Sequence, residues 1–483
     1  MENSGAETLM ATERFAQRAR EVVQGSGIEL VIRPASVQSG RDARDGLETE
    51  LEALETVRGG LMLYTSGTTS RPKGVFLPHA ALTAQASSLI QAWKYAPQDR
   101  LLHLLPLHHI HGTVNALLTP LMAGSSIEFL FPFNADAVWR RLASPFLPTS
   151  HGTHADETEK EKITFLTAVP TIYTKLLHTF ATLPGDVQAA AQTAIAPATL
   201  RLNISGSAAL PTPTKQAWQT LSNGNVLLER YGMTEVGMAI SGGLDFADRV
   251  DGSVGWPLPS VQARLVDPDS NEVISSSDPS QGSEHARPRV GEIHLRGPCV
   301  FAEYWGNPKA TDEAFVTDDS GNKWFRTGDM ATTRPVSSAG SGASGDWAQG
   351  PLYFIHGRQS VDIIKTAGEK VSALEVEREL LSLYVSVPVL VPVPCPCPGL
   401  RNRPQISEAA VLALPSPSWG QKVAAVVVLT RKMTALDIRK ALKHRLAPYK
   451  IPVEIRVVDE IPRNAMGKGE FFFFFFSCFS DRC

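Results

Sequence analysis

A segment rich in small hydroxyl residues is the strongest chemical signal in the sequence. Residues 61–75 read LMLYTSGTTSRPKGV, so an apolar run ends in a hydroxyl-rich loop that is followed by Lys73. The loop residues are Thr65, Ser66, Gly67, Thr68, Thr69 and Ser70. Small residues let backbone N–H groups and hydroxyls surround phosphate oxygens, and a lysine adds a mobile positive charge. The spacing is not that of a Walker loop, but it predicts a phosphate-binding loop; the alternative is a surface turn of similar composition.

Five further motifs follow the loop in a fixed order. They read SGSAAL (Ser205–Leu210), YGMTE (Tyr231–Glu235), RTGD (Arg326–Asp329), GRQSVDIIKTAGEKVSALEVE (Gly357–Glu377) and PRNAMGK (Pro462–Lys468). Together with the loop they resemble the signatures of the adenylate-forming superfamily, which includes acyl-CoA synthetases, peptide-synthetase adenylation domains and luciferases. The resemblance covers about residues 58–468, apart from the inserted segments described below.

The resemblance implies a complete set of nucleotide contacts. The implied ATP- or AMP-binding residues are Thr65, Ser66, Gly67, Thr68, Thr69, Lys73, Gly206, Ser207, Ala208, Tyr231, Gly232, Met233, Asp329, Arg358 and Lys365. Gly206 to Ala208 would line the adenine, Tyr231 would stack on it, and Asp329 would accept the ribose hydroxyls. Thr234 and Glu235 would meet the α-phosphate and Mg²⁺, because a carboxylate beside a triphosphate needs a cation between them. A TGD sequence on its own would indicate only a turn. The assignment of Asp329 to the ribose therefore rests on the order of all the motifs.

The same resemblance assigns the catalytic lysine and the thiol side. Lys468 would bridge the attacking carboxylate and the α-phosphate during adenylation, offsetting the charge that develops there. The segment around Ser360 would be a hinge on which the small domain turns. Gly368, Glu369 and Lys370 would then face CoA in the second half-reaction. The implied co-substrates are ATP and CoA, with Mg²⁺ as the metal.

Arg230 indicates the type of acid. It stands directly before the YGMTE motif, and a buried guanidinium there would hold a second carboxylate bidentately. With His111 in the HIHG segment, this arrangement most closely resembles malonyl-CoA synthetases, which implies malonate as the substrate. Two alternatives stay open: a ligase for another short or dicarboxylic acid, and a structural salt bridge between Arg230 and Glu229.

Several histidines lie close together before the second motif. His108, His109 and His111 lie on an extended segment on which fewer than three could converge, so a zinc site is disfavoured. His103 is interpreted as a packed core residue.

Composition excludes several other classes of protein. The 483 residues carry 46 Lys+Arg against 49 Asp+Glu, a formal net charge of −3, which argues against a nucleic-acid binder. The five cysteines show no CxxC spacing, and no apolar run is long enough to span a membrane. We therefore expect a soluble intracellular protein, mitochondrial or cytoplasmic, that binds a small carboxylic acid; no protein partner can be inferred.

Alternating strand and helix patterns predict an α/β fold. Apolar runs such as 101–105, 163–169 and 202–204 alternate with helical periodicity at 80–95 and 171–180, which favours largely parallel strands up to about Met330. The first core strand is expected at Gly60–Tyr64. The predicted architecture is a large N-terminal adenylate-forming domain (59–356) and a small mobile α+β C-terminal domain (357–470).

Other stretches do not fit this architecture. Residues 148–160, 267–288 and 337–350 resemble insertions, and the Pro-rich 384–404 cannot be a core strand. Residues 1–58 are interpreted as a shortened remnant of the N-terminal subdomain and 471–483, with six phenylalanines, as an aberrant tail. These departures support a further alternative, a catalytically impaired nucleotide-binding remnant.

Overall fold

The computed structural model describes residues 4–33, 59–65, 72–148, 161–274, 289–383 and 405–461. The chain forms two compact units, one of residues 1–80 with 301–313 and the other of residues 81–300 with 314–483. Most of the insertions 148–160 and 267–288, the whole of 384–404, and residues 462–483 lie outside the described residues. Within the described part of the chain, no helix is long and apolar enough to cross a membrane.

The first unit contains two small sheets. One is a parallel pair, β1 (Thr8–Thr12) and β2 (Glu29–Arg33), connected by helix α1 (Ala16–Val23). The other is antiparallel, with β4 between its two partners: β3 (Gly60–Thr65), β4 (Lys73–Pro78) and β15 (Glu303–Tyr304). Helix α8 (Pro308–Glu313) follows β15. The strand expected at Gly60–Tyr64 is present, but the earlier strand pair, none of whose residues is buried, was not predicted.

A seven-stranded sheet is the centre of the second unit. Its strand order is β11-β10-β9-β8-β7-β5-β6. The strands are β5 (Arg100–His103), β6 (Ser126–Phe129), β7 (Phe165–Ala168), β8 (Leu202–Ser205), β9 (Leu228–Met233), β10 (Gly237–Ser241) and β11 (Trp256–Pro257). The neighbouring strands β6, β5, β7, β8 and β9 are parallel, as the alternating pattern predicted. Strands β10 and β11 are antiparallel to their neighbours.

Helices connect and cover these strands. They are α2 (His79–Trp93), a π-helix (His111–Leu118), α3 (Thr119–Met122), α4 (Ala135–Ala143), α5 (Pro170–Phe180), α6 (Gly185–Ile195) and α7 (Thr212–Leu221). Their core includes Trp139, Trp218 and Tyr173, which are fully buried, and the Trp218 ring packs against both of the other two. The same core includes Leu102 of β5 and Leu166 of β7, so the helices pack against the parallel strands.

The next sheet is antiparallel, which corrects the expectation of largely parallel strands up to Met330. Its strand order is β13-β12-β14-β17-β16, and β18 pairs with β17. The strands are β12 (Gln262–Val266), β13 (Val273–Ile274), β14 (Gly291–Arg296), β16 (Phe315–Thr317), β17 (Lys323–Arg334) and β18 (Leu352–Arg358). Apolar alternation identifies strands but does not report their direction, so the pattern could not distinguish this sheet from a parallel one.

The C-terminal part forms a small α+β layer with its own core. Its strands are β19 (Ile363–Thr366), β20 (Glu369–Ser372), β21 (Ile406–Ser416), β22 (Gly420–Leu429) and β23 (Glu454–Val457). Its helices are α9 (Ala373–Leu381) and α10 (Ala435–Leu442), which pack Val376, Leu380 and Ile438 into that core. Ser372 caps α9 by accepting from the Glu375 backbone N–H, which explains why the helix begins at Ala373.

The segment Ser337–Gly350 is packed, so interpreting it as an insertion missed its structural role. Ala348 is buried with Trp256, Leu352 and Phe354. The Ser344 hydroxyl donates to Asp248 Oδ2 at 2.6 Å and accepts from the Asp245 N–H at 2.9 Å. This segment of low sequence complexity is therefore part of the folded structure and is hydrogen-bonded to the loop after β10.

Candidate functional site

Strand β9 carries the residues at the centre of the candidate site. Glu229 and Arg230 are consecutive, and successive side chains of a strand point to opposite faces. The Glu229 carboxylate accepts a hydrogen bond from Lys215 Nζ at 2.8 Å, and both groups are buried. Burial raises the pKa of Glu229, although Lys215 counteracts this. The alternative in which Glu229 is the structural partner of Arg230 is therefore wrong.

Arg230 is a buried cation that has no ion pair among the described residues. Its exposed fraction is 4%. Nη2 donates to the Ser207 hydroxyl at 3.4 Å, whereas Nε has no hydrogen-bond partner in the described part of the chain. Burial lowers the pKa of Arg230 to about 9. Burying a guanidinium without a compensating anion lowers the stability of the fold, and such a group can bind an anionic ligand.

Gly206 provides the space that the guanidinium occupies. A Cβ at this position would lie 2.5 Å from Arg230 Nε and closer still to Cζ. Gly206 is also the residue that directly follows β8, so the parallel strand sets where the guanidinium can lie. Gly206 was predicted to line the adenine, and its packing against Arg230 was not predicted.

His111 and Ser207 complete this end of the site. His111 begins the π-helix, is 4% exposed, and lies with Nε2 2.6 Å from Thr167 Oγ1 and Nδ1 3.3 Å from Ser207 Oγ. Burial, with a smaller effect of the Arg230 charge, lowers the pKa of His111 well below its usual value, so the ring is neutral. Ser207 has φ of +69°, a left-handed conformation that non-glycine residues rarely adopt outside constrained sites. The structure therefore brings Arg230 and His111 together through one serine hydroxyl.

Tyr231, Asp329 and Arg358 form a second group. The Tyr231 hydroxyl donates to Asp329 Oδ2 at 2.6 Å, and Arg358 Nε donates to Asp329 Oδ1 at 3.3 Å. Asp329 and Arg358 are direct partners in the β17–β18 register, so the sheet fixes this pair. Burial, followed by the Asp329 charge, raises the pKa of Tyr231 well above its usual value. The arrangement orients both carboxylate oxygens, as binding of a vicinal diol requires.

Thr234 and Glu235 lie in the turn between β9 and β10. Glu235 is buried, and its negative charge acts on Arg358. Burial lowers the pKa of Arg358, but the charges of Asp329 and Glu235 outweigh this effect, so its pKa is raised. Gly232 and Met233 belong to β9 itself, where they pair with Met238 and Gly237 of β10. The hairpin thus sets the positions of both parts of the YGMTE motif, the strand residues YGM and the turn residues TE.

The ends of the phosphate loop lie in the first unit. Thr65 and Lys73 face each other as the last register pair of β3 and β4, so the loop closes a hairpin. Ser66, Gly67, Thr68 and Thr69 lie outside the described residues. Lys73 Nζ lies 4.7 Å from the centre of the Tyr304 ring, a cation–π contact that the loop motif does not reveal.

Lys365 and Lys370 face each other across the β19–β20 hairpin. They are register partners and line a cavity of about 90 Å³ together with residues that include His356, Ser372 and Lys450. Lys370 Nζ also donates to Asp269 at 2.7 Å. Gly368, with φ of +85°, and Glu369 form the exposed tip of the hairpin. Lys468 lies outside the described residues.

The histidine cluster does not form a metal site in the described part of the chain. No group of three His, Cys, Asp or Glu side chains there could hold a metal ion. His103 is buried, with Nε2 2.9 Å from the Gly112 carbonyl oxygen and Nδ1 3.4 Å from the Leu105 N–H. This confirms its interpretation as a packed core residue.

Comparison with known proteins agrees with the motif order. Residues 1–305 match the AMP-binding enzyme family, and residues 400–468 match the AMP-binding enzyme C-terminal domain. The chain belongs to the AMP-binding enzyme family. The family prediction and the predicted fold, a large N-terminal domain followed by a smaller C-terminal one, are thereby confirmed.

Individual members of the family show similarity along nearly the whole chain. A CoA ligase of Gibberella moniliformis (strain M3125 / FGSC 7600) is 51% identical, over 96% of this chain and 76% of its own length. A mitochondrial malonate–CoA ligase of Mus musculus is 37% identical, over 97% of this chain and 73% of its own length. The crystal structure of ATP-bound MatB from Rhodopseudomonas palustris superposes with a TM-score of 0.69 at 28% identity, covering 97% of this chain and 78% of MatB.

Proposed function

We propose that this protein is an ATP-dependent acid–thiol ligase that joins malonate to CoA. In the first half-reaction a malonate oxygen attacks the α-phosphate of ATP, giving malonyl-adenylate and pyrophosphate. In the second, the CoA thiol attacks the acyl carbon, AMP leaves, and malonyl-CoA forms. Membership of the family supports the adenylation step, and the Mus musculus relative named malonate–CoA ligase supports the choice of acid.

The observation that carries the choice of acid is the state of Arg230. Its guanidinium is buried and lacks an ion pair among the described residues, and Nε has no partner there. Removing a cation from water is expensive unless an anion compensates it. A carboxylate at the far end of the acid, held by two parallel N–H groups, would compensate this charge. Monocarboxylic acids would leave the cation unpaired.

Residues of the second unit support the nucleotide half of the proposal. Asp329, oriented by Tyr231 and Arg358, would bind the ribose hydroxyls. Glu235 would hold Mg²⁺; one buried carboxylate fits this ion, which usually takes one or two protein carboxylates and completes its shell with water and phosphate oxygens. Bound Mg²⁺ would neutralise charge on the phosphates. Gly206, Ser207 and Ala208 remain the proposed adenine-side residues, and Thr234 and Lys365 the proposed phosphate-side residues of this unit. Lys73, which belongs to the first unit, is also a proposed phosphate-side residue.

The two half-reactions would need different parts of the small domain. Lys468 is proposed to bridge the acid and the α-phosphate during adenylation. Rotation about the segment at Ser360 would then bring Gly368, Glu369 and Lys370 to the thiol side. The contact between Lys370 and Asp269 would have to break if that hairpin moves away from Asp269. Because it is an exposed ion pair, breaking it would cost little.

A pyrophosphate-release screen of the intact protein tests the proposal. The acids are malonate, methylmalonate, succinate, acetate and octanoate, each with ATP, Mg²⁺ and CoA. Malonate should give the highest kcat/KM, and acetate should be lower by about 10⁴-fold, because sites built around a buried polar partner reject analogues that lack it. Preference for acetate or octanoate would contradict the assignment, and preference for succinate would keep the reaction but change the acid.

A further inference from the structure

A series of buried hydrogen bonds connects the Ser207 hydroxyl to the interior of the second unit. The first step joins Tyr95 Oη to Asn115 Oδ1 at 3.1 Å, and the second joins Asn115 Nδ2 to Thr167 Oγ1 at 3.3 Å. The third joins Thr167 Oγ1 to His111 Nε2 at 2.6 Å, and the last joins His111 Nδ1 to Ser207 Oγ at 3.3 Å. Thr167 and Asn115 are fully buried, so each of their polar atoms needs a partner from the protein.

The chemistry of the donors gives the series a direction. Tyr95 Oη lies 3.1 Å from two oxygens of Asn115, the side-chain Oδ1 and the backbone carbonyl, so the hydroxyl donates to Asn115 and the amide Nδ2 faces Thr167. The Asn115 amide then donates to Thr167, and among the described residues the acceptor bonded to Thr167 Oγ1 is His111 Nε2, which therefore receives the Thr167 proton. A neutral imidazole that accepts at Nε2 carries its proton on Nδ1, and it therefore donates to Ser207.

The consequence appears at Ser207. Its oxygen accepts from His111 Nδ1 and from Arg230 Nη2, which occupies both of its lone pairs. Its own proton is then left for a group inside the site. In the opposite tautomer, Ser207 would donate to His111 and would present only a lone pair, which would repel a carboxylate.

We propose that Thr167 is a positioning residue for acid recognition, which holds His111 in the Nδ1–H tautomer and so makes Ser207 a donor to the distal carboxylate beside Arg230. The inference rests on the proposed function, since the carboxylate is that of malonate. No motif pointed to Thr167. It is the third residue of β7, and only the packing of the π-helix against this sheet brings His111 within reach of it.

The test uses three variants of the full chain. Thr167→Val removes the donor and keeps the shape, Thr167→Ser restores the donor, and Thr174→Val is a control for the same change at a half-buried threonine of α5. Thr167→Val should raise the malonate KM about tenfold, the usual loss for one hydrogen bond to a charged group, with kcat and the ATP KM near wild type. Thr167→Ser and Thr174→Val should match the wild type.

A ¹⁵N spectrum of the imidazole rings decides the tautomer without any substrate. His111→Gln identifies the His111 signals by their absence. The Nδ1–H form is expected in wild type, and loss of this fixed form is expected in Thr167→Val. An Nε2–H form in wild type, or a folded Thr167→Val with unchanged malonate KM, would overturn the inference. A wild type that ignores malonate would instead refute the proposed function, whatever the spectrum shows.

Discussion

At the scale of single residues, Arg230 is a buried cation whose described neighbours compensate its charge only in part. Its guanidinium lies against the Gly206 backbone and contacts the Ser207 hydroxyl, but no carboxylate of the described residues neutralises it. Stability alone would favour an apolar side chain or a paired charge at this position. Retaining the unpaired cation makes sense if an anionic ligand completes it.

Gly206→Ala tests whether the guanidinium needs this space. The new Cβ would overlap Arg230 Nε and Cζ, so the side chain must shift. We expect the malonate KM to rise at least tenfold, because displacement weakens bidentate geometry before it affects other steps. The measurement is steady-state pyrophosphate release with malonate varied. Gly185→Ala is the matched control, since a Cβ there meets nothing within 4 Å; equal KM values in both variants would contradict the account.

His111 makes a testable contribution to the pH dependence of stability. Its pKa in the folded protein lies well below the usual 6.5, so below about pH 6.5 the unfolded chain binds a proton that the folded chain does not. The contribution is therefore fully present above pH 6.5 and is lost as the pH falls. His103 and His356 act in the same direction, so the comparison must isolate His111.

The comparison is urea unfolding of wild type and His111→Asn at pH 5.5, 6.5 and 7.5. The free energy of unfolding of wild type minus that of the variant should be constant above pH 6.5. Below it, this difference should fall by up to about 1.4 kcal/mol per pH unit, the value for one proton. A difference that does not change with pH, or one that rises as the pH falls, would show that His111 is not held neutral.

At the scale of elements, sequence patterns succeeded where one local signal decides the outcome. Helix α9 (Ala373–Leu381) is an example, because its apolar spacing follows directly on the Ser372 cap and both signals are local in the sequence. The alternation of strand side chains would also have separated Glu229 from Arg230, but Lys215, the real partner of Glu229, is far away in sequence and could not be identified. The positions of Thr167 and Tyr304 depend on packing between distant segments, which no local pattern records.

The packed segment Ser337–Gly350 gives an element-scale prediction. Ser344→Ala removes the hydrogen bonds to Asp248 and the Asp245 N–H and leaves a buried carboxylate with one partner fewer. We expect a loss of about 1–3 kcal/mol in the free energy of unfolding, measured by urea denaturation. Ser338→Ala, at an exposed serine of the same segment, should change stability by less than about 0.5 kcal/mol. Equal stability of the two variants would contradict the account and would indicate that the segment is an insertion that contributes nothing to stability.

At the scale of the whole molecule, six ordered motifs were enough to identify the family and the two-domain fold. They were enough because the resemblance assigns each motif to a part of one shared site, so their order is specific to the family. The choice of acid is harder to predict from the sequence, because it depends on a few side chains whose contacts are set by the complete fold. Most of residues 148–160 and 267–288, the whole of 384–404 and Lys468 lie outside what the structure describes, so their roles remain predictions.

Arg230 is proposed to select the acid by binding its distal carboxylate, and one measurement tests this role directly. The values of kcat/KM for malonate and butyrate are compared in wild type, Arg230→Leu and the control Arg141→Leu, whose arginine lies on α4 and pairs with Glu128 of β6. Arg230→Leu should lower the malonate value by about 10²–10³-fold and raise the butyrate value, because both the attraction and the desolvation penalty disappear. Arg141→Leu should leave the ratio unchanged. If Arg230→Leu lowers both acids by one common factor, Arg230 is structural and the assignment of malonate is contradicted.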